Sequence, residues 1–198
     1  MSQDYTSEEK KELLNAARNT LEKYLKNQTK EYPETDNPQF KEKHGVFVRL
    51  HKGEDLRGYM GSPHPEKPLI EAVVDTAISA ATEDHRFNPV ELGELNDIDI
   101  EITILTVPES VVNYKDVVVG RDGIIISKGD NKSLLLPQVP IVQGWNLEEY
   151  MSYGCTKAGL ASDEWKSHGR SILSIETFQT IVFGEKERAT MNGDGDVC

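Results

Sequence analysis

The sequence is poor in cysteine, in basic residues and in long apolar runs. Cys155 and Cys198 are its only cysteines, so the chain cannot build the disulfide framework of a small secreted domain. No stretch approaches the roughly 20 apolar residues of a membrane span, and the N-terminal letters MSQDYTSEEKKELL are polar where a signal peptide is basic and then apolar. These absences predict a cytoplasmic protein with no membrane partner.

The shortage of basic residues gives a formal net charge of −12. Binding along a phosphate backbone depends on many Lys and Arg side chains that release counterions, so broad nucleic-acid binding is disfavoured, whereas a local basic pocket is still allowed. What is present is 37% apolar residues in a chain of 198, enough for a folded protein with one large domain or two small lobes.

Three stretches carry helix signals. Thr6 and Glu9 form a capping box ahead of apolar residues spaced by three and four. A second helix is predicted over 68–81, with its proline at the first helical position. Asn146 and Glu149 predict a third capped helix.

Strand signals alternate with these helices without a regular order. Residues 45–50 alternate as a strand, with Gly53 in the turn that follows, and DIDIEITILTV alternates isoleucine with polar residues. VVVGRDGIII predicts a hairpin turning at Asp122-Gly123, SKGDNKSLLLPQV predicts a further turn and strand, and SILSIETFQTIVF predicts one or two strands. The mixed order favours an α+β fold over a doubly wound sheet.

The letters LRGYMG, residues 56–61, are predicted as a short connection between the first strand and the second helix. Its glycines would let backbone N–H groups approach a ligand, and Arg57 presents a planar fork suited to a carboxylate or phosphate. The alternative is that both glycines serve the turn and Arg57 pairs with a surface acid. The motif lacks the Gly-Lys-Ser/Thr ending of a phosphate-binding loop, so ATP binding is not inferred.

A second polar cluster, EDHRFNP, follows the second helix. Because histidine as a residue type can exchange protons near neutral pH, His85 could move protons beside Asp84, while Arg86 could hold an anion. The alternative, which we prefer, is that Asp84 and Arg86 form a structural ion pair and that Phe87 and Pro89 anchor the loop.

Five stretches, taken in order, resemble one family: LRGYMG, ATEDHRFNPV, DIEITILTVPE, DGIIISKGDNKSLLLPQV and GWNLEEYMSYGCTKAGLASDEW. The chain resembles the AMMECR domain, named for the Alport, midface hypoplasia and elliptocytosis chromosomal region, from about Leu13 to Phe183. The resemblance implies an α+β fold, mostly antiparallel sheet with helices, in which a larger and a smaller lobe flank a cleft that holds the motif. It implies one AMMECR-like domain over 1–188 and a flexible tail over 189–198. Some relatives are linked with a Memo-type protein and a radical-SAM protein.

The chain departs from the family motif Leu-Arg-Gly-Cys-Ile-Gly at its cysteine, which is Tyr59 here. A phenol titrating near pH 10 is a poor substitute for a thiolate nucleophile or metal ligand. Cys155, on the apolar face of the third helix, is predicted to be buried, and the histidines show no metal-binding spacing. We therefore expect no metal and no cofactor.

Two hypotheses of function follow. The first is an anionic small molecule bound in the cleft between the lobes, and the second is a non-catalytic adaptor that docks a Memo-type or radical-SAM partner through the same surface. Gln138 could orient a ligand or satisfy a strand end, and Lys157 could face the cleft or the solvent. The candidate ligand-binding residues are Arg57, Gly58, Tyr59, Gly61, His85, Arg86, Gln138 and Lys157.

Overall fold

The computed structural model of the protein describes residues 4–167 and 172–186. The helices in these ranges are α1 (Ser7–Asn27), α2 (Pro38–Lys41), α3 (Leu69–Thr82), α4 (Gln138–Gln143) and α5 (Leu147–Lys157), with 3-10 turns at Leu92–Asp97, Tyr114–Asp116 and Glu164–Ser167. The strands are β1 (Gly45–Lys52), β2 (Asp55–Ser62), β3 (Ile98–Leu105), β4 (Glu109–Ser110), β5 (Gly123–Lys128), β6 (Asn131–Leu135), β7 (Ser174–Phe178) and β8 (Thr180–Gly184). The α+β class predicted from the sequence is confirmed.

The described residues form two compact units. The first comprises 4–106 and 181–186, and the second comprises 107–167 and 172–180. The second unit is therefore inserted between β3 and β8, which are neighbours in the sheet of the first unit.

The first unit is built on a four-stranded sheet in the order β2-β1-β3-β8. β1 pairs antiparallel with both β2 and β3. The isoleucines at alternate positions of β3 are buried with apolar residues of β1, α1 and α3, which confirms the predicted strand. Glu9 and Thr6 form the predicted capping box of α1.

The second unit contains the sheet β4-β7-β5-β6, whose pairs are antiparallel. Its core joins β5, β6 and β7 to α5, and the buried Trp165 donates to the Ser152 hydroxyl at 3.0 Å. Asn146 caps α5 through the predicted box with Glu149. Cys155 is fully buried, as predicted, and burial raises the pKa of its thiol.

The prediction that LRGYMG is a connection is wrong, because these residues form most of the edge strand β2. The turn lies earlier, at Gly53, whose φ of +65° is the left-handed conformation that glycine favours. Glycine has a low preference for strands. The two glycines among these six residues therefore weakened the strand signal of a stretch that pairs with β1.

The hairpin predicted at Asp122-Gly123 is also wrong. No strand precedes β5 in the described segment 117–122; instead, the Asp122 carboxylate accepts the backbone N–H of Val118 at 2.8 Å and closes a local turn. β5 pairs with β6 and β7.

Two smaller differences concern helices. α2 begins at Pro38 behind an Asn37 cap, where the sequence predicted only an exposed loop, and Pro68 is the N-cap of α3 and not its first residue. Within the described ranges, no helix has the length and apolar character needed to cross a membrane. The tail predicted over 189–198 lies outside the described residues.

Candidate functional site

The motif strand β2 carries an irregularity at Arg57. Leu50 pairs with Gly58 while the next residue, His51, pairs with Leu56, so Arg57 is the extra residue of a β-bulge. A bulge bends its strand and redirects a side chain. Here the redirected side chain points away from the regular ladder and toward the segment that follows α3.

The guanidinium of Arg57 makes three hydrogen bonds within the first unit. It donates to the carbonyl of Asn88 at 2.9 Å and to the Glu94 carboxylate at 2.5 Å. Burial alone would raise the pKa of Glu94, and hydrogen bonds from Lys52 and Arg57 lower it below its ordinary value. The Arg57 side chain is only 16% exposed, so its contacts favour the structural role that was the alternative to anion binding.

Both motif glycines lie where a side chain would collide with a neighbour. A Cβ atom on Gly58 would lie 2.1 Å from the carbonyl oxygen of Ala80 in α3, and one on Gly61 would lie 2.3 Å from the Phe47 ring. These glycines therefore permit the strand to pack directly on a helix and on an aromatic ring.

Asp84 holds the motif strand to the loop after α3. Its carboxylate, 3% exposed, accepts the Tyr59 backbone N–H at 2.8 Å and the Nε and Nη2 groups of Arg86 at 3.0 and 2.8 Å. The hydrogen bonds from Arg86 lower the pKa of Asp84 to about 2. The structural ion pair preferred from the sequence is thus present.

The remaining residues of this loop behave differently from the prediction. His85 and Pro89 are exposed and Phe87 is half-buried, whereas Val90 is buried in the core. Val90 therefore anchors the loop, and the expectation that Phe87 and Pro89 do so is wrong.

Tyr59 lies on the face of the sheet opposite to the buried isoleucines. Its ring stacks on Phe47 with centroids 5.6 Å apart, and the guanidinium of Arg49, which pairs with it across β1 and β2, lies 4.8 Å from the ring centroid. Burial raises the pKa of Tyr59 to about 12, although the positive charge of Arg49 opposes the shift. The phenol is therefore neutral and can donate a hydrogen bond at physiological pH.

Arg49 differs from Arg57 and Arg86 in its partners. Its Nε is buried without a hydrogen-bond partner among the described residues, and the guanidinium lies over the Tyr59 ring. Sequence reasoning missed Arg49, although alternation along β1 gave the signal, because it sets Phe47, Arg49 and His51 on one face of the strand.

Gln138 and Lys157 belong to the second unit. Gln138 is the half-buried first residue of α4, and Lys157 is the half-buried last residue of α5. The other six predicted residues belong to the first unit, where Arg86 reaches the Tyr59 carbonyl at 3.4 Å. Within the described ranges, no group of three or more His, Cys, Asp and Glu side chains is arranged to hold a metal.

Comparison with known proteins identifies the family. The AMMECR1 family model matches residues 14–183, so the chain belongs to the AMMECR1 family. It is 44% identical to Protein MJ0810 of Methanocaldococcus jannaschii over 182 residues, covering 86% of this chain and 87% of that protein. A protein of Thermococcus onnurineus is 46% identical over 185 residues, with 88% and 89% covered.

A solved structure has the same fold. The crystal structure described as uncharacterized protein PH0010 from Pyrococcus horikoshii matches with a TM-score of 0.73 at 38% identity, covering 88% of this chain and 90% of that one. The family membership expected from LRGYMG and its companion stretches is therefore confirmed.

Proposed function

We propose that the protein binds a small anionic molecule at the face of the first sheet opposite to the buried isoleucines, beside Arg49 and Tyr59, which are half-buried there. The observation that carries this proposal is the state of the three arginines near the motif. Arg57 and Arg86 each donate to a carboxylate, whereas the buried Nε of Arg49 has no partner among the described residues. A guanidinium with unused donors is suited to a carboxylate or phosphate.

Tyr59 supplies a second donor beside this cation. Its phenol stays protonated because burial raises its pKa to about 12, so its O–H can point toward an anion held by Arg49. Stacking on Phe47 at 5.6 Å fixes the ring. A protonated phenol in place of the family cysteine supports binding in preference to a nucleophilic reaction.

Glu101 restricts the anions that fit. It pairs with Arg49 across β1 and β3 and is half-buried on the same face. A simple anion would be repelled by this carboxylate, whereas a ligand with a hydroxyl or amino group next to its anionic group can donate to Glu101. We therefore infer that hydroxy acids or amino acids bind better than acetate.

The experiment compares Arg49→Gln with Arg57→Gln by calorimetric titration of phosphate, acetate, lactate and serine. Loss of a charge-assisted hydrogen bond should weaken binding roughly ten- to hundredfold in Arg49→Gln. Arg57→Gln is the matched control and should bind like the wild type. Equal loss in both variants, or no binding of any anion by the wild type, would refute the proposal.

A second candidate function is docking of a protein partner, of the Memo or radical-SAM type that the family resemblance suggests. Its support is an apolar patch in the second unit, where Ile141 is 61% exposed and lies against Gly120, with Val118 and Val142 also exposed. If this patch docks a partner, Ile141→Lys should weaken binding to a Memo-type protein in a pull-down, and Arg49→Gln should not.

A further inference from the structure

A cavity of about 250 Å³ lies inside the first unit, beside the C-terminal end of β2. Val46, Met60 and Ala72 form an apolar part of its wall, and residues of the loop after β2 also line it. Pockets for drug-sized ligands commonly enclose about 300–1,000 Å³. This cavity therefore suits a smaller molecule.

One face of α3 gives the cavity two hydroxyl groups, those of Thr76 and Ser79. Ala72, Asp75, Thr76 and Ser79 line it, and their spacing by three and four puts them on the same side of the helix. Thr76 is only 9% exposed, and the structure gives its hydroxyl and that of Ser79 no hydrogen-bond partner among the described residues. By contrast, Thr82 of the same helix donates to the Ile78 carbonyl at 2.8 Å.

His44 adds a buried imidazole to the wall. Its Nδ1 lies 3.0 Å from the carbonyl oxygen of Leu105, and a carbonyl can only accept, so Nδ1 carries the proton. Its Nε2 lies 3.7 Å from the Glu42 carboxylate. His44 is therefore a polar part of the wall that already has contacts within the first unit.

The charged residues of the wall give an anion no net attraction. Asp75 forms ion pairs with Lys67 and Lys30 and accepts a hydrogen bond from the Tyr32 hydroxyl at 3.0 Å. Glu66 also lines the cavity and would repel an anion. A charged ligand therefore gains little here, whereas groups that both donate and accept match the hydroxyls of Thr76 and Ser79.

We propose that this cavity binds a small, neutral, polyhydroxylated molecule about the size of a monosaccharide. The ligand's hydroxyls pair with Thr76 and Ser79, and its C–H face packs on Met60 and Val46. The site is independent of anion binding at Arg49, because it uses other side chains and a neutral ligand.

The test is a titration of the isotopically labelled full chain with D-ribose, D-glucose and myo-inositol at millimolar concentrations, followed by NMR. At least one of these probes should shift the amide signals of Thr76 and Ser79. Thr76→Val preserves the shape of the side chain and should weaken that binding about two- to tenfold, the value of one hydrogen bond. Thr82→Val is the matched control, because the Thr82 hydroxyl is already satisfied by Ile78, and it should leave the affinity unchanged.

A cavity-filling variant separates loss of binding from loss of folding. Ala72→Leu should plug the cavity and abolish binding while the thermal midpoint stays at or above that of the wild type. Absence of shifts at Thr76 with every probe, or unchanged affinity in both Thr76→Val and Ala72→Leu, would overturn the proposal. Neither variant should alter lactate binding, so this site and the Arg49 site fail or succeed separately.

Discussion

Asp84 in the first unit and Asp122 in the second unit each form a buried ion pair with an arginine that is close in sequence. Each carboxylate is almost fully buried, at 3% and 4% exposed, and each receives the Nε and Nη2 groups of an arginine close in sequence. Each also accepts a backbone N–H at 2.8 Å, and Asp84 accepts a second one, from Arg86, at 3.1 Å. The two sites share their local chemistry.

They differ in what the backbone hydrogen bond joins. Asp84 accepts from Tyr59, 25 residues earlier, and so fixes the motif strand to the loop after α3. Asp122 accepts from Val118, four residues earlier, and closes a turn. The comparison teaches that similar buried ion pairs can fix distant segments through a backbone hydrogen bond, as at Asp84, or mainly close a local turn, as at Asp122, whose distant partner is the Gln179 side chain at 3.4 Å.

The largest expected loss of stability follows from replacing Asp84, whose carboxylate joins segments that are distant in sequence. Asp84→Ala should destabilise the first unit by about 3 kcal/mol, because it leaves the Tyr59 N–H and the Arg86 guanidinium without their partner. Urea unfolding followed by far-ultraviolet circular dichroism measures the change. The adjacent, exposed Glu83→Ala is the control, and a similar small loss in both variants would show that Asp84 is not needed to hold β2.

Asp122→Ala should cost less, about 1.5 kcal/mol. The Arg121 side chain is already 56% exposed and can return to water, and a local turn loses less than a tertiary contact. Tryptophan fluorescence is the appropriate probe, since Trp145 and Trp165 both lie in the second unit. The exposed Asp116→Ala serves as control; a loss equal to that of Asp84→Ala would remove the distinction between the two sites.

The smallest effect is the acid dependence of the first unit. The pKa of Asp84 is about 2 in the folded protein and about 3.9 in an unfolded chain. Because the pKa is lower in the folded protein, the ionised Asp84 stabilises the fold at pH values above its unfolded pKa, and this stabilisation is lost as the pH falls. The contribution of Asp84 to the free energy of unfolding should therefore decrease by about 1 kcal/mol between pH 5 and pH 3.

The acid effect is measured as a difference between variants, because other carboxylates titrate in the same window. The gap in unfolding free energy between the wild type and Asp84→Ala should narrow by that amount on going from pH 5 to pH 3. A gap that stays constant would contradict a charge-based role for Asp84.

Local sequence predicted much of the fold because its signals lie within a few residues of each other. The capping boxes at Thr6 and Asn146 span three residues each, and the isoleucines of β3 alternate within one strand. The pair of Asp84 and Arg86 was likewise predictable, since the partners are two residues apart.

The rest depended on distant partners. Arg57 could not be told from Arg49 by sequence, because Glu94, which engages Arg57, lies 37 residues away. Gly58 seemed a turn residue because the Ala80 carbonyl that excludes a side chain there belongs to α3. Asp122-Gly123 predicted a hairpin, but the hydrogen bond from Val118 gave the aspartate another role.

The insertion of the second unit between β3 and β8 bears on how the protein is made. During synthesis the chain emerges from its N-terminus, so α1 to β3 are complete long before β8, whose Ile181 and Phe183 pack against the core of the first unit. The second unit has all the strands that its described residues form as soon as residue 178 has emerged. Among the described residues, the unit that begins first on the ribosome is thus completed last, and one edge of its sheet, at β3, stays unpaired until β8 is made.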